Sequence, residues 1–451
     1  MTIRAILGLL TLNALFLAVG SSLVWALCGW TSRSGYARLA GLAYLLGVAA
    51  LGIVWTLLLV LGIPFGVVTI LLSAGLVSGA ALIVAYRIGR EQPERGALTR
   101  FTWISLVSAT GIALAGTFLE ALFRAARLQG LYAFDGWAFW IPKAKAIYYF
   151  GELDAQFFAE LAGPTYPPLV PTLDAAAFHA MGSADVVSLH LQYWFFVVGF
   201  VCAAVGLLWH RVPAWILWPF VILTLVMPRA SERLFTPQAD FLLDFFVCVA
   251  ALLLALWLAE RESWELIAGS ALLGAAVLTK REGVLLAVIL FVGVAVASLD
   301  RRRFALPRIA LAAALVAAVG IPWRLWYADR GIGGEAPTQV DLDRGKEAVR
   351  LSLEVFFDSS LWSIITTVVV AAVVFAAIWG SRRLALFFGL VLGLTALGGA
   401  WITASYEELP ITADEALNPI VRYSAAGVIV SGTAIPLLLA SVWARAEAGA
   451  R

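Results

Sequence analysis

The sequence is poor in charge. Only 13% of its 451 residues are Asp, Glu, Lys or Arg, about half the ~25% of an average soluble domain, which excludes an ordinary water-soluble fold. Its 31 basic and 29 acidic residues leave a net charge of +2, which implies no nucleic-acid partner. Cysteine is scarce too. Cys28, Cys202 and Cys248 fall in apolar runs without metal-site spacing and read as buried apolar residues. The three histidines, His179, His190 and His210, stand at the ends of apolar runs with no ligand-like spacing. No Ser-His-Asp order, phosphate loop or GxGxxG is present, so soluble cofactor chemistry has no support. There is no low-complexity segment, no visible repeat and no soluble domain of 100 residues.

What the chain has instead is length in hydrocarbon: 62% of its residues are hydrophobic. A membrane span needs about 20 mostly apolar residues. Such runs fall near 4–28, 37–61, 64–86, 102–123, 187–209, 213–228, 238–259, 265–279, 283–299, 308–322, 360–379, 384–403 and 423–443. The expected fold is therefore an all-α polytopic membrane protein of about thirteen spans. The runs at 213–228 and 265–279 are short, which leaves the count open by one or two. The first run is too long for the apolar core of a signal peptide and reads as a membrane helix. The tight turn "LGIPFG" joins the second and third runs.

Orientation follows from Lys and Arg in short loops. One alternating set holds Arg33 and Arg38, "YRIGREQPERGALTR", Arg211, Arg261, "DRRRFALPR", Arg382 and Arg383, and the tail Arg445 and Arg451. This set is expected in the cytoplasm. The opposite set, which contains the long segments 124–186, 229–237, 323–359 and 404–422, then faces outward and carries most of the polar residues.

Six stretches of that outward set stand out. In "YAFDGWAFWIPKAKAIYYFGELD" an isolated Asp135 precedes a short helix from about 142 to 150, with Pro142 in its first turn. Trp137, Trp140, Tyr148 and Tyr149 suit an interfacial belt and the lysines would snorkel. An acid close to hydrocarbon is harder to explain structurally. Lys143 and Lys145 are two apart and cannot share a helix face, so one is expected to reach inward and the other to face headgroups. "GPTYPPLVP" is a rigid, non-helical return, either a simple loop or the wall of a cleft. "RASERLFTPQADFLLDFF" puts Asp240 and Asp244 on one helix face. They are a charged helix end, or a pair able to hold a divalent cation or orient a sugar.

In "LTKREGVLL", Lys280, Arg281 and Glu282 form a whole turn between two runs. The turn is simply polar, or its two cations grip a phosphate. "IPWRLWYADRGIGGEAP" leads into an amphipathic segment with Val349, Leu351, Leu353, Phe356 and Phe357 among charges. In "NPIVRYSAAG", Arg422 enters the last run, where a lone arginine usually snorkels.

Taken in order, Asp135, "WIPKAKAIYYFGELD", "YPPLVP", "PQADFLLDFF", "TKREG" and "PWRLWY" resemble the GT-C superfamily of polytopic glycosyltransferases. The likeness is to the bacterial branch related to protein O-mannosyltransferases and lipid A sugar transferases, over roughly residues 115 to 430. It implies residues 1–100 as additional N-terminal membrane helices and 101–451 as the catalytic region. It implies a site on the extracytoplasmic face of a bacterial cytoplasmic membrane, a polyprenyl-phosphate-linked sugar as donor, and a lipid, glycan or protein as acceptor. Asp135 then takes the role of general base. The family often shows paired acids in that loop, whereas here Gly136 follows Asp135.

The chemistry needs a base for the acceptor hydroxyl proton and cations for the departing phosphate. Lys143 or Lys145, Lys280, Arg281 and Arg422 are the candidates for the cations. Asp240, Asp244 and Glu282 would orient the sugar or a metal, and Trp137, Tyr166, Pro167 and Pro168 would wall the cleft. No cofactor is required. A divalent cation at Asp240 and Asp244 is left open, since the lysines and arginines would substitute for it. Single displacement predicts inversion at the anomeric carbon. A secondary transporter of a small or lipid-linked solute is the alternative, although transporters favour internal repeats and midplane charges. A non-catalytic envelope scaffold is a third reading.

Overall fold

Backbone N–H and C=O groups have no water to bond inside a bilayer, so apolar runs close their hydrogen bonds within helices. Each of the thirteen runs contains one. The computed structural model describes residues 2–29, 33–90, 105–131, 133–228, 237–333, 345–405 and 413–449, and no strand occurs among them. Nine helices there are long and apolar enough to cross a membrane, so the protein is a polytopic membrane protein. They are α1 (Ile3–Leu27), α2 (Arg33–Val60), α3 (Val67–Arg87), α4 (Leu106–Ala126), α8 (Val186–Leu208), α10 (Ala239–Glu260), α13 (Arg302–Asp329), α17 (Arg382–Ser405) and α18 (Ala413–Gly449).

A tenth span exists only if a bent pair counts as one. That pair joins α14 (Gly345–Phe356) and α15 (Ser359–Trp362) to α16 (Ile365–Trp379) through a 112° bend. The helices α9 (Ala214–Leu225), α11 (Ser263–Thr279) and α12 (Glu282–Ala297) have 12, 17 and 16 residues, short of the ~20 a span needs. Length is thus why nine or ten spans, not thirteen, meet the requirement. Between α4 and α8 lie a π-helical turn at Gly136–Trp140, α5 (Ile141–Phe150), α6 (Ala155–Glu160) and α7 (Leu169–Met181).

The most enclosed element is α10. All of its apolar window is buried inside the protein, against α11, α12 and α18. By contrast, α3 and α4 bury only 22% of theirs, and α3 turns Val68, Leu71, Leu72 and Leu76 outward, as a lipid-facing helix does. The first two helices are not set apart from the rest: α2 packs on α8, α11 and α13, and α1 on α7. The boundary drawn at residue 100 lies outside the described residues. Helices α1 and α2 meet at glycines. A Cβ at Gly20 would lie 1.6 Å from the Ala43 carbonyl oxygen, and one at Gly47 would lie 1.9 Å from that of Phe16. Small residues at such a crossing let backbones approach. Across the same crossing, Tyr44 Oη donates to Asn13 Oδ1 at 2.6 Å, and Asn13 Nδ2 extends the bonding to α8, donating to Gln192 Oε1 at 2.8 Å.

Three sequence expectations change here. Cys202 is exposed rather than buried, because its helix α8 turns that position outward. Trp140 is fully buried and belongs to the packing beneath the loops, not to an interfacial belt; Trp137 and Tyr149 are the exposed pair. In the amphipathic segment, Ala348, Ser352, Val355 and Phe356 face inward. Val349, Leu353 and Phe357 are exposed, so α14 is apolar on its outer side as well.

The charged loops sort into two ends. Arg211 bonds Glu260, Arg383 bonds Asp300 and Arg445 donates to the Gly380 carbonyl. Arg422 and Arg445 both lie on α18, about 35 Å apart at 1.5 Å per residue, close to the ~30 Å thickness of a bilayer core. Arg422 belongs to the other end, where it meets Asp135 and Asp240, with Lys280 and Glu282 beside them.

Candidate functional site

Five chain segments converge at the Arg422 end. Asp135 stands immediately before the π-turn Gly136–Trp140, and Asp240 occupies the first turn of α10. Lys280, Arg281 and Glu282 lie at the junction of α11 and α12, as the sequence indicated. Tyr166 belongs to the return ahead of α7, and Arg422 lies in α18.

Arg422 holds the cluster together. Its Nε donates to Asp240 Oδ1 at 3.2 Å and its Nη2 to Asp240 Oδ2 at 2.6 Å. The same Nη2 reaches Asp135 Oδ2. The planar fork of arginine suits this bidentate geometry. The snorkelling reading of Arg422 is therefore replaced by a structural one: it spends its charge on two carboxylates instead of on water. Lys280 Nζ completes the array, 2.8 Å from Asp240 Oδ1 and 3.0 Å from Glu282 Oε1. Lys280 is buried, which works against its charge, but Asp240 and Glu282 outweigh that and hold its ammonium above the usual lysine range. Asp240 is thus surrounded by cations on both oxygens. Among the described residues, no group of three or more His, Cys, Asp or Glu gathers to hold a metal. Asp244 is buried one turn deeper on α10.

An aromatic floor lies beside the ions. The Tyr166 ring has Arg281 Cζ 5.1 Å and Lys280 Nζ 5.9 Å from its centroid, within cation–π range. Tyr166 stacks on Phe139 at 5.6 Å. Pro167 and Pro168 are buried behind it, and the Pro168 carbonyl accepts from Thr172 in the first turn of α7. Trp323 donates to the Thr165 carbonyl at 3.0 Å and fastens this return to α13. Trp137 takes no part: it is half exposed and meets Phe134 edge-on.

The lysine pair resolves. Lys143 turns inward and is fully buried, whereas Lys145 is only half-buried. Lys143 Nζ donates to the Gly163 carbonyl at 2.7 Å and lies 5.2 Å from the Phe158 ring centroid. Burial, with Arg281 adding repulsion, pushes its amine down to about 7. It supports the Tyr166 return from below and makes no ion pair among the described residues. Of 229–237, residues 229–236 fall outside the described residues, as do parts of 323–359 and 404–422.

Sequence reasoning missed two buried acids, Asp174 and Glu265, the latter in the first turn of α11. Asp174, in α7, accepts from Tyr193 Oη at 3.1 and 3.0 Å, and burial pushes its carboxyl up to about 8 despite that bond. An acid within "PTLDAAAFHAM" is as isolated as Asp135, so the same signal was available.

No family model, no curated protein and no solved structure matches the chain. The chemistry of the site must speak for its function. Asp135, Asp240 and Glu282 balance Lys280, Arg281 and Arg422 in formal charge. An incoming anion therefore has to displace a carboxylate from a cation rather than fill an empty positive hole. Asp135 Oδ1 makes no hydrogen bond among the described residues. Glu282 Oε2, Trp140 Nε1 and Thr165 Oγ1 are buried without hydrogen-bond partners there; such atoms are ordinarily met by a protein group or an ordered water.

Proposed function

We propose that the protein is a membrane glycosyltransferase that moves a sugar from a polyprenyl-phosphate donor to an acceptor hydroxyl at the extracytoplasmic face. The observation that carries this reading is Asp135, whose Oδ2 is fixed by Arg422 while Oδ1 makes no hydrogen bond among the described residues. A carboxylate oriented through one oxygen and without a hydrogen bond at the other suits a general base. The step balances without a cofactor. Asp135 Oδ1 takes the proton of the acceptor hydroxyl, and the acceptor oxygen forms its bond to the anomeric carbon. The bond from that carbon to the phosphate oxygen breaks, and its electron pair leaves with the phosphate. Arg281 and Lys280 beside Tyr166 stabilise the departing charge. A single displacement inverts the anomeric centre. Phosphate is a good leaving group, so no second acid is needed. The Glu282 carboxylate, whose side chain keeps 23% of its surface exposed, suits a hydroxyl of the donor sugar.

The test is Asp135→Asn in purified protein supplied with polyprenyl-phosphate sugars. Transfer should fall by about 10²–10⁴-fold, the usual worth of a general base, while thermal stability holds. Full transfer by that variant removes Asp135 from the role. The transporter reading keeps one supporting observation, the buried Asn13–Tyr44–Gln192 triad between spans. It predicts solute flux into sealed vesicles and no change in the lipid-linked sugar.

A further inference from the structure

The opposite end of the bundle carries a second concentration of charge, and the proposed transfer reaction does not use it. A cleft partly open to the outside forms where α10, α12, α13 and α17 meet. Four arginines line it: Arg261 after α10, Arg301 in the turn before α13, Arg308 on α13 and Arg383 at the start of α17. One acid, Asp300, stands among them. It bonds Arg383 and has Arg301 Nε at 3.6 Å. Arg261 and Arg308 have no ion-pair partner among the described residues. Like charges from four elements repel one another unless an anion compensates them.

Two further features narrow the anion. Arg261 adopts φ 66°, a left-handed conformation that is uncommon for a non-glycine residue and is retained where surrounding structure or function requires it. It turns the chain at the end of α10 and leaves the arginine on the cleft. The floor is apolar, with Trp257, Leu258 and Ala305. Phe304 on the cleft and, beyond it, Leu311 and Leu315 are 79%, 63% and 59% exposed. With Arg308 they follow at intervals of four, three and four residues, one face of α13. A cation cluster therefore sits at the head of an exposed apolar stripe, at the level where the spans end.

We propose that this cleft is a binding site for the phosphate of an anionic phospholipid, with an acyl chain lying along Leu311 and Leu315. The shared chemistry is an arginine-bound phosphate, and the apolar stripe is what favours a lipid over a free ion. The site lies across the membrane from Asp135 and does not depend on the transfer reaction.

The full-length chain is reconstituted in phosphatidylcholine nanodiscs, and phosphatidylglycerol is titrated in. Melting temperature and native mass spectrometry are read together. The melting temperature should rise saturably by about 2–4 °C, with retained phospholipid seen by mass. The double variant Arg261→Gln with Arg308→Gln should bind about 30-fold more weakly, from roughly fivefold per arginine. Arg308→Gln alone, at an exposed position, should show about a fivefold loss with unchanged melting in pure phosphatidylcholine, and this separates binding from folding. An equal rise in the double variant overturns the site. An equal rise with inorganic phosphate at the same concentration overturns the lipid assignment.

Discussion

Arg422 bonds Asp135 across 287 residues of sequence, tying the last helix to the first long polar segment. The same guanidinium holds Asp240, so one side chain fixes the relative position of three elements. Replacing Arg422 with Gln should leave two carboxylates under-compensated in a largely buried setting. We expect a loss of about 3 kcal/mol in stability, the scale for breaking a buried pair, read by thermal or denaturant unfolding in detergent. Arg422→Lys should recover only part of it, since an ammonium cannot span both acids in the same plane. Full recovery by lysine would show that charge alone matters.

Glu282 lies 3.0 Å from Lys280, so in the proposed reaction it would compete with the donor phosphate for that cation. Glu282→Gln should therefore strengthen phosphate binding. The expected outcome is a KM for the lipid-linked donor lowered roughly fivefold, the worth of about 1 kcal/mol, with kcat reduced if the carboxylate also orients the sugar. A raised KM with unchanged kcat would mean that Glu282 holds the sugar and does not compete for the cation.

Lys143 sets a pH dependence of stability. Its amine titrates near 7 in the folded protein against 10.5 ordinarily, because it is buried and faces Arg281. Between those values the unfolded chain holds a proton that the folded one lacks, so stability rises with pH across that window and levels off at its lowest contribution once pH falls below 7 and both states hold the proton. The slope contributed approaches one proton, about 1.4 kcal/mol per pH unit. Melting curves of wild type and Lys143→Met from pH 6.5 to 9.5 should differ in slope, the variant being flatter. Parallel curves would show that the amine stays protonated.

The α1–α2 crossing gives a packing prediction. Gly20→Val would drive a side chain into the Ala43 carbonyl, whereas Gly75 on lipid-facing α3 has nothing within 4 Å of a built Cβ. Gly20→Val should cost about 3 kcal/mol, the upper end for overpacking, and Gly75→Val very little. Comparable losses from both would argue against the close helix approach.

Much of this arrangement was legible as pattern. Apolar runs gave the helices, and the isolated Asp135, the "TKREG" turn and the Asp240–Asp244 spacing marked residues that do gather or lie close beneath the cluster. Span count was less secure, since α9, α11 and α12 match the runs in composition but not in length. Asp174 was passed over although it is an acid in an apolar stretch like Asp135.

The sequence by itself determined the class of protein, because low charge and long apolar runs leave a helical membrane bundle as the economical way to satisfy the backbone. It also marked which residues were too polar for their surroundings. Only the tertiary structure decided how they pair. Arg422 looked like a snorkelling residue until helix packing brought it to Asp135 and Asp240, and the choice between Lys143 and Lys145 depended on which face of α5 met Phe139 and Phe158. Local spacing fixes which residues share a helix face, but contacts between segments hundreds of residues apart depend on how those faces dock.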